Sequence, residues 1–572
     1  MKKRQKALTM ILSLTLAAAL GLSGCGSAKD DTANSPDTSG TADTGQETAG
    51  ANTDTGEMHQ LTILAPQIAN IIDIETNDFT KWYEEQTNTH ISWQLVPQDA
   101  IEANLNLVLA GGEYPDIFLC MEIKTAMEGT YGGEDKIFRP LDDLIENEMP
   151  NLKKYLDENP NVKKDITALD GHIYTFPSIS EYTHVKYAQK MWINKEWLDH
   201  LGLDMPKTTD ELYEVLKAFK EKDPNGNGIA DEVPLSGAPN IGGGWHSGID
   251  NFIMNAFIYD SGYYYSELRD YVNGDTVEVS VIKDEYKEGL KYLHKLYSEG
   301  LIDPACFTNT NDQLKQIALN PDVPLLGMAP SGHPAMFCDI TADHDRYVMY
   351  EALAPLEGPS GYRVATKFDD VVTPGEAAIS TTCQNPEAAA RWIDGFYDYE
   401  VSMSRKYGLE GVGWRDAEQG ELGLGGEPAL YKLLKDFDES AQNENWAWFG
   451  VEFIPAELME GSTVTPENVD LKSAEGFEKM LLTVTEEKYI PNESKDCMNL
   501  SSLIHYTEEE AERKTLLYAD LGNLVKEYRA QFITGEKDID AEWDSFVQGL
   551  YSMGLQEYLD IQNAAYERYA NR

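Results

Sequence analysis

Residues 61–120 read LTILAPQIANIIDIETNDFTKWYEEQTNTHISWQLVPQDAIEANLNLVLAGGEYPDIFLC, and this stretch decides the fold. Leu61 to Ala65 is a short apolar strand, and Phe79, Trp82 and Tyr83 have helical spacing. His90 to Val96 alternates as a strand does. Ile101, Leu105, Val108 and Leu109 then form one helical face, stopped by Gly111 and Gly112. Tyr114 to Cys120 reads as a third strand. Strands separated by single helices predict a parallel α/β sheet, whose ligand crevice lies outside the carboxyl ends of its strands. On that reading Asp116 and the loop from Pro66 to Asn77 face a cleft.

Downstream the pattern turns to amphipathic helices. Thr208 and Glu211 have the spacing of a capping box, with Leu212, Val215, Leu216 and Phe219 as one apolar face. Asn273-Gly274 between short strands predicts a hairpin. Tyr286 to Gly300 predicts another helix ended by glycine, and the chain from Glu508 onward is helical in pattern. The body from about Met58 to Arg572 is too long for one core.

The amino terminus has its own chemistry. Lys2, Lys3, Arg4 and Lys6 precede an apolar run from Ala7 to Leu22, too short to span a bilayer core and suited to a secretory signal. Leu22-Ser-Gly-Cys25 resembles a bacterial lipobox, in which the cysteine is acylated; two acyl chains give durable anchoring. Residues 26–57 hold no aromatic residue and no aliphatic one larger than alanine, so they predict a flexible tether with a reach of about 30 Å. A tether on a lipid implies a globular body working close to the membrane, and the expected location is the extracellular face of a bacterial cell membrane.

The chain has 46 basic and 98 acidic residues, a net charge of −52. Nucleic-acid binding is excluded, since nothing supplies a basic footprint. Cys120, Cys306, Cys338, Cys383 and Cys497 are odd in number and include no CxxC pair, which fits neither a disulfide framework nor a zinc site.

Asp223-Pro-Asn225-Gly-Asn227-Gly228-Ile229-Ala-Asp231-Glu232 follows the capped helix directly. Oxygen side chains fall at loop positions 1, 3, 5 and 9, glycine at 6, and a backbone carbonyl is available at 7. That spacing matches the first part of an EF-hand loop, because Ca²⁺ takes six to eight oxygen ligands around a sharp turn. Pro234 replaces the usual glutamate at position 12, leaving Glu232 to supply a carboxylate and making the unit helix-loop-strand. An Asn-Gly turn with side-chain caps uses the same residue types.

Catalytic motifs are missing: there is no HExxH, GxSxG or P-loop, and the abundant carboxylates select no glycosidase pair. Aromatics near glycine turns are the better ligand signal: Trp245, Tyr263 to Tyr265, Trp414, and Trp446 with Trp448. Flat apolar rings beside polar groups suit the faces of sugar rings. The ligand-binding candidates are therefore Asp116, Trp245, Tyr263, Trp414 and Trp446, with Trp245 foremost for stacking.

Taken together, GGEYPDIF (111–118), MWINKEWLDHLGLDMPKTTDEL (191–212), the DPNGNGIADE loop, YKEGLKYLHKLYSEGLIDP (286–304), NPEAAARWIDGFYD (385–398), YGLEGVGWR (407–415) and FITGEKDIDAEWDSFVQGL (532–550) resemble family 1 extracellular solute-binding lipoproteins of ABC importers. The closer likeness is to the branch with the alginate-binding proteins and many Firmicutes lipoproteins. The resemblance implies a periplasmic-binding-protein-like fold: two α/β lobes, crossover hinge strands, a helical C-terminal region, and closure on ligand held between the lobes. It also implies structural calcium at Asp223, Asn225, Asn227, the Ile229 carbonyl, Asp231 and Glu232.

The expected organisation is a lipoprotein signal at 1–24, acylated Cys25 and tether at 25–57, first lobe at 58–182 and 326–383, and second lobe at 183–325 and 384–572. The expected function is capture of an oligosaccharide by a monomer and its delivery to a membrane permease, without catalysis. The alternatives are a secreted carbohydrate-active hydrolase, or binding of peptides or another solute; a dockerin-like adhesion module is disfavoured by the single calcium loop.

Overall fold

The opening stretch folds as its periodicity predicts. The computed structural model describes residues 58–133, 136–239, 245–262, 266–338, 346–368, 371–435, 440–464 and 474–572. It begins with β1 (His59–Gln67), α1 (Asp78–Thr87), β2 (Thr89–Pro97), α2 (Ile101–Gly111) and β3 (Ile117–Leu119). Asn77 caps α1 by accepting from the Phe79 N–H at 3.1 Å. Gly112 ends α2 at φ 77°, a left-handed conformation that side chains resist.

The remaining strands of the two main sheets are β4 (Phe176–Ser180), β5 (Met191–Asn194), β6 (Met328–Pro330), β7 (Tyr350–Ala352), β8 (Val372–Ile379) and β9 (Phe453–Ile454). β1 pairs in parallel with β2, from His59 opposite Thr89 to Gln67 opposite Pro97, and with β3 through Ile63 and Ile117. The first sheet is mixed rather than wholly parallel, in the order β9-β4-β8-β3-β1-β2, because β8 runs antiparallel between β3 and β4. Leu61, Ile63 and Ala65 point into the larger core on one face of this sheet. Leu64 and Phe118 point the other way, against Ile101, Leu105 and Leu109 of α2. Two covered faces explain why these strands read as continuous apolar runs.

A second core surrounds the antiparallel sheet β6-β5-β7. It is packed by α3 (Thr209–Glu221), α4 (Asp284–Ser298), and the C-terminal helices α7 (Glu508–Thr534), α8 (Ile539–Ser552) and α9 (Leu555–Ala570). The Thr208 hydroxyl caps α3 as expected, accepting from Glu211 N–H at 3.1 Å, while the Glu211 carboxylate reaches Lys207 N–H at 2.7 Å. The predicted hairpin forms over Asp270–Asn273 and Thr276–Val279, with Gly274 at φ 60°, and Cys497–Asn499 adds a third strand. The five described cysteines are free thiols, and Cys306, Cys338 and Cys383 are buried. Among the described residues no helix is long and apolar enough to cross a membrane.

The division between the cores differs from the expected one. Met328, Phe337, Tyr347 and Leu353 pack in the second core, whereas α5 (Pro386–Asp394), α6 (Tyr399–Tyr407) and the segment around Trp446 pack in or beside the first. Residues 326–356 were expected in the first lobe and 386–454 in the second. Strand pairing decides this, and similar apolar runs do not reveal which sheet they will join.

Candidate ligand-binding cleft

At the carboxyl ends of β1, β2 and β3 lies a cleft of about 910 Å³. Its walls come from Pro66, Ile68 and Asn70 after β1, Gln98 after β2, and Cys120 and Glu122 after β3. The antiparallel β8 contributes its opening residues, Thr373 to Glu376, at the same end. Cys120 and Glu122 both have positive φ, 53° and 54°, a costly backbone for residues with side chains and one that clusters at functional sites. The Cys120 N–H donates to the Glu376 carbonyl at 2.6 Å, and its thiol donates to the Glu376 carboxylate at 3.6 Å. Burial pushes the Glu376 carboxyl up to about 7, so its charge changes across the neutral range.

One aromatic side chain in this wall is broadly accessible: Trp448, 51% exposed. A tight turn puts it there. Phe449 N–H donates to the Trp446 carbonyl at 2.9 Å, and Ala447 takes φ 50° at the corner. The ends of the turn, Trp446 and Phe449, enter the core while Trp448 stands at the tip. The buried Arg405 guanidinium clamps the turn, donating to the Ala447 and Phe449 carbonyls at 3.0 and 2.7 Å. Lys406, next on α6, is also buried, and its ammonium sits 4.2 Å from the Trp448 ring centroid. It donates to Glu452 at 2.8 Å and to the Tyr182 hydroxyl at 2.9 Å. Burial brings Lys406 down to about 8, against the opposing pull of Glu452. A cation over the indole and half of the side chain exposed at the cleft wall suit Trp448 to stacking.

The expected ligand residues are mostly elsewhere. Asp116 lies at the amino end of β3, away from the cleft, where its carboxylate accepts from the Thr62 N–H and hydroxyl, both at 2.8 Å. It fastens β3 to β1; the expectation placed it at the wrong end of the strand. The loop after β1, by contrast, does line the cleft. Trp446 is fully buried, donating to the Thr80 hydroxyl at 2.8 Å and packed edge-on against Phe79 and Trp93. Trp414 is 1% exposed in a small cluster with Met403, Tyr431 and Leu458. Both tryptophans are core residues. Trp245 is half-buried against Gly332 and the rings of His246 and His333, and is not part of the cleft wall. Tyr263, Cys25 and the whole of residues 1–57 lie outside the described residues.

The Asp223–Glu232 loop has the backbone its spacing predicts. The Asp223 carboxylate accepts from the N–H groups of Asn227 and Gly228 at 3.1 and 2.9 Å. Asn225 and Asn227 oxygens accept from Asn227 and Ile229 N–H groups at 3.0 and 2.7 Å. Gly226 and Gly228 take φ 72° and 77°, and Val233 then bridges to Leu326, so the unit is helix, loop and extended chain. The side-chain amide nitrogens of Asn225 and Asn227 donate to the Asp231 carboxylate, both at 3.1 Å. Oε1 of Glu232 is buried without a hydrogen-bond partner. Burial raises the Glu232 carboxyl, and the charges of Asp223 and Asp231 add to the rise. Among the described residues no three His, Cys, Asp or Glu groups come together as a preformed metal cluster.

A sheet whose strand ends form a solute-sized cleft, beside a second α/β core, defines a binding protein of the solute-receptor class. Residues 68–400 match the model of the bacterial extracellular solute-binding protein family, and the chain belongs to that family. It is 31% identical over 515 residues to the fructooligosaccharide ABC transporter substrate-binding protein FusA of Streptococcus pneumoniae serotype 4, covering 85% of this chain and 86% of that one. The structure of FusA in complex with kestose matches with a TM-score of 0.70 at 28% identity, over 90% of this chain and 100% of that one. An EF-hand mutant of FusA, in complex with fructo-nystose, matches at 0.69 and 27% over the same shares. An extracellular solute-binding protein from Bifidobacterium longum subsp. infantis matches at 0.76 and 25%, over 91% and 100%. The lipoprotein LipO of Bacillus subtilis strain 168 is 25% identical over 532 residues, covering 90% of this chain and 94% of that one.

Proposed function

We propose that this chain is a lipid-anchored receptor that captures a neutral oligosaccharide against Trp448, closes on it and hands it to the permease of an ABC importer. The observation that carries the reading is the exposed indole at the carboxyl-end cleft, backed by Lys406. Its likeness to FusA supports fructooligosaccharides as the ligand class. The Cys120 thiol and Glu376 carboxyl in the cleft wall are polar groups of the kind that hydroxyls can meet. A solute shifts open toward closed only by its differential affinity for the closed form, so the second lobe must also contribute contacts. The Cys120 thiol beside Glu376 is pushed well above its ordinary value by burial and stays protonated, and the reading is binding without catalysis by a monomer. Calorimetry with kestose and fructo-nystose tests it: binding with compaction in small-angle scattering and no sugar cleavage is expected. Cleavage would make the protein a hydrolase, and a preference for peptides over every sugar would replace the ligand class. Anchoring is proposed at Cys25; Cys25→Ala should move the protein from membrane to soluble fractions.

One structural Ca²⁺ belongs to the same reading. The donor set is all oxygen, and the unpartnered Glu232 oxygen is the kind of buried acceptor that a cation satisfies. Asp223, Asn225, Asn227, Asp231 and Glu232 side chains would hold it with the Ile229 carbonyl. The ion would supply positive charge that offsets the loop's carboxylates. For an ion present a thousandfold above its dissociation constant the stabilisation is about 4 kcal/mol. Excess chelator should lower the melting temperature, and Asp223→Ala should do the same. An unchanged melting temperature with no bound metal would return the loop to a plain capped turn.

A further inference from the structure

A second cavity, of about 270 Å³, lies among the hairpin of the second lobe and the C-terminal helices. Ser502 lines both it and the Trp448 cleft, so the two adjoin at that residue. Two polar atoms on its lining residues are buried without a hydrogen-bond partner among the described residues, Oγ of Ser261 and Nδ2 of Asn499; Oδ1 of Asp270 makes no direct hydrogen bond either, although the Ser266 and Gln562 side chains lie close enough to favour the carboxylate. Ser261 and Asp270 are 3% and 6% exposed, so solvent does not readily satisfy them. Orphaned buried groups of this kind are costly unless something occupies the space and bonds to them.

Their orientation is fixed from behind. Tyr558 donates its hydroxyl to Asp270 Oδ2 at 3.1 Å, and Gln562 donates to the Tyr558 oxygen at 2.9 Å. Tyr259 donates to Asn499 Oδ1 at 3.0 Å, which leaves the amide nitrogen as the remaining donor of a side chain that lines the cavity. The set therefore offers an acceptor, a donor and a hydroxyl that can be either. That is the complement of neighbouring sugar hydroxyls, each of which donates and accepts once. Tyr518 supplies an aromatic wall. Charge inside the cavity is balanced, with the Asp270 carboxyl and the Lys514 ammonium both lining it, so a neutral ring is favoured over a uronate or an amine. The volume is below the 300–1,000 Å³ typical of sites for larger ligands and suits a single ring.

We infer that the ligand cleft continues across Ser502 into this cavity, and that the cavity takes one terminal, uncharged sugar ring of the oligosaccharide. The inference rests on the reading of the Trp448 cleft as an oligosaccharide site. It assigns Asp270, Ser261 and Asn499 to ligand recognition.

Calorimetry of the full chain with sucrose, kestose and fructo-nystose tests it, using the parent, Asp270→Asn and Trp448→Ala. Asp270→Asn keeps the shape and puts an amide where the carboxylate acceptor stands. Affinity for fructo-nystose should fall about tenfold in Asp270→Asn, the size of one hydrogen bond to a charged acceptor, with sucrose affinity within about twofold of the parent. Trp448→Ala should weaken all three sugars. Should Asp270→Asn fail to fold by circular dichroism, Ser261→Ala takes its place, with about a threefold loss confined to the longer sugars. Equal affinities of the Asp270 or Ser261 variant and the parent across the series, with Trp448→Ala still damaging, would overturn the terminal-ring site and leave the cleft reading intact. A loss of equal size on all three sugars would also overturn it. No binding of any of the three by the parent would overturn both.

Discussion

Trp448 and Trp245 both sit close to glycines in polar loops, and they end in different surroundings. Beneath Trp448 are a buried guanidinium and a buried ammonium that hold its turn and one face of its ring. Trp245 leans on Gly332, where a Cβ would stand 2.1 Å from the indole, and its other neighbours are the imidazoles of His246 and His333. The first ring is supported from below and half exposed; the second is packed into a notch that only glycine leaves. Accessibility of a loop aromatic is thus set by what lies under it, not by the glycines beside it.

The comparison breaks most visibly inside the turn itself. Trp446→Ala removes a fully buried ring and should cost about 3–5 kcal/mol in denaturant unfolding, because the cavity left behind adds to the lost transfer free energy. Trp448→Ala, two residues away, should leave unfolding nearly unchanged and weaken kestose binding by about 1–3 kcal/mol in calorimetry. Trp245→Ala should reverse that pattern, with a larger loss of stability than of affinity. If it weakens kestose binding more than Trp448→Ala does, the support argument fails. The smallest effect is expected at Lys406: Lys406→Met should reduce affinity by about 0.5–2 kcal/mol, the range of a cation–π contact. The Lys406 ammonium titrates near 8, below its ordinary 10.5, so the cation is present below that pH and lost above it. Parent affinity should therefore fall as pH rises through about 8, and the Lys406→Met profile should be flat there.

Much of the fold was legible because local patterns carried it. The first five elements follow from alternation and helical spacing within residues 61–120, and Asn77, Thr208, Gly112 and Gly274 act at the ends and turns where their chemistry predicts. The Asp223–Glu232 loop was legible for the same reason: all its oxygens are within ten residues, and the hydrogen bonds that shape it join neighbours. The cleft was less so. A cleft does lie at the carboxyl ends of the strands, but Asp116 proved to begin β3 rather than end it, since the paired strand is only Ile117–Leu119. In NENWAWFG two tryptophans of equal hydrophobicity differ in fate because Ala447 adopts φ 50°. A signal was present: polar Asn445 before and Gly450 after the pair mark a tight turn, whose tip residue faces outward.

Sequence by itself determined the α/β class, the order of the opening elements, the caps, the loop of clustered oxygens and the likeness to solute-binding proteins. These rest on interactions between residues a few positions apart, or on motifs kept in order. Only the tertiary structure decided which sheet claims residues 326–356 and 386–454, which tryptophan meets solvent, and that Glu376, Lys406 and Trp448 share one wall. Those outcomes depend on strand pairings between distant segments and on the desolvation of charges, and neither leaves a periodic mark on the chain.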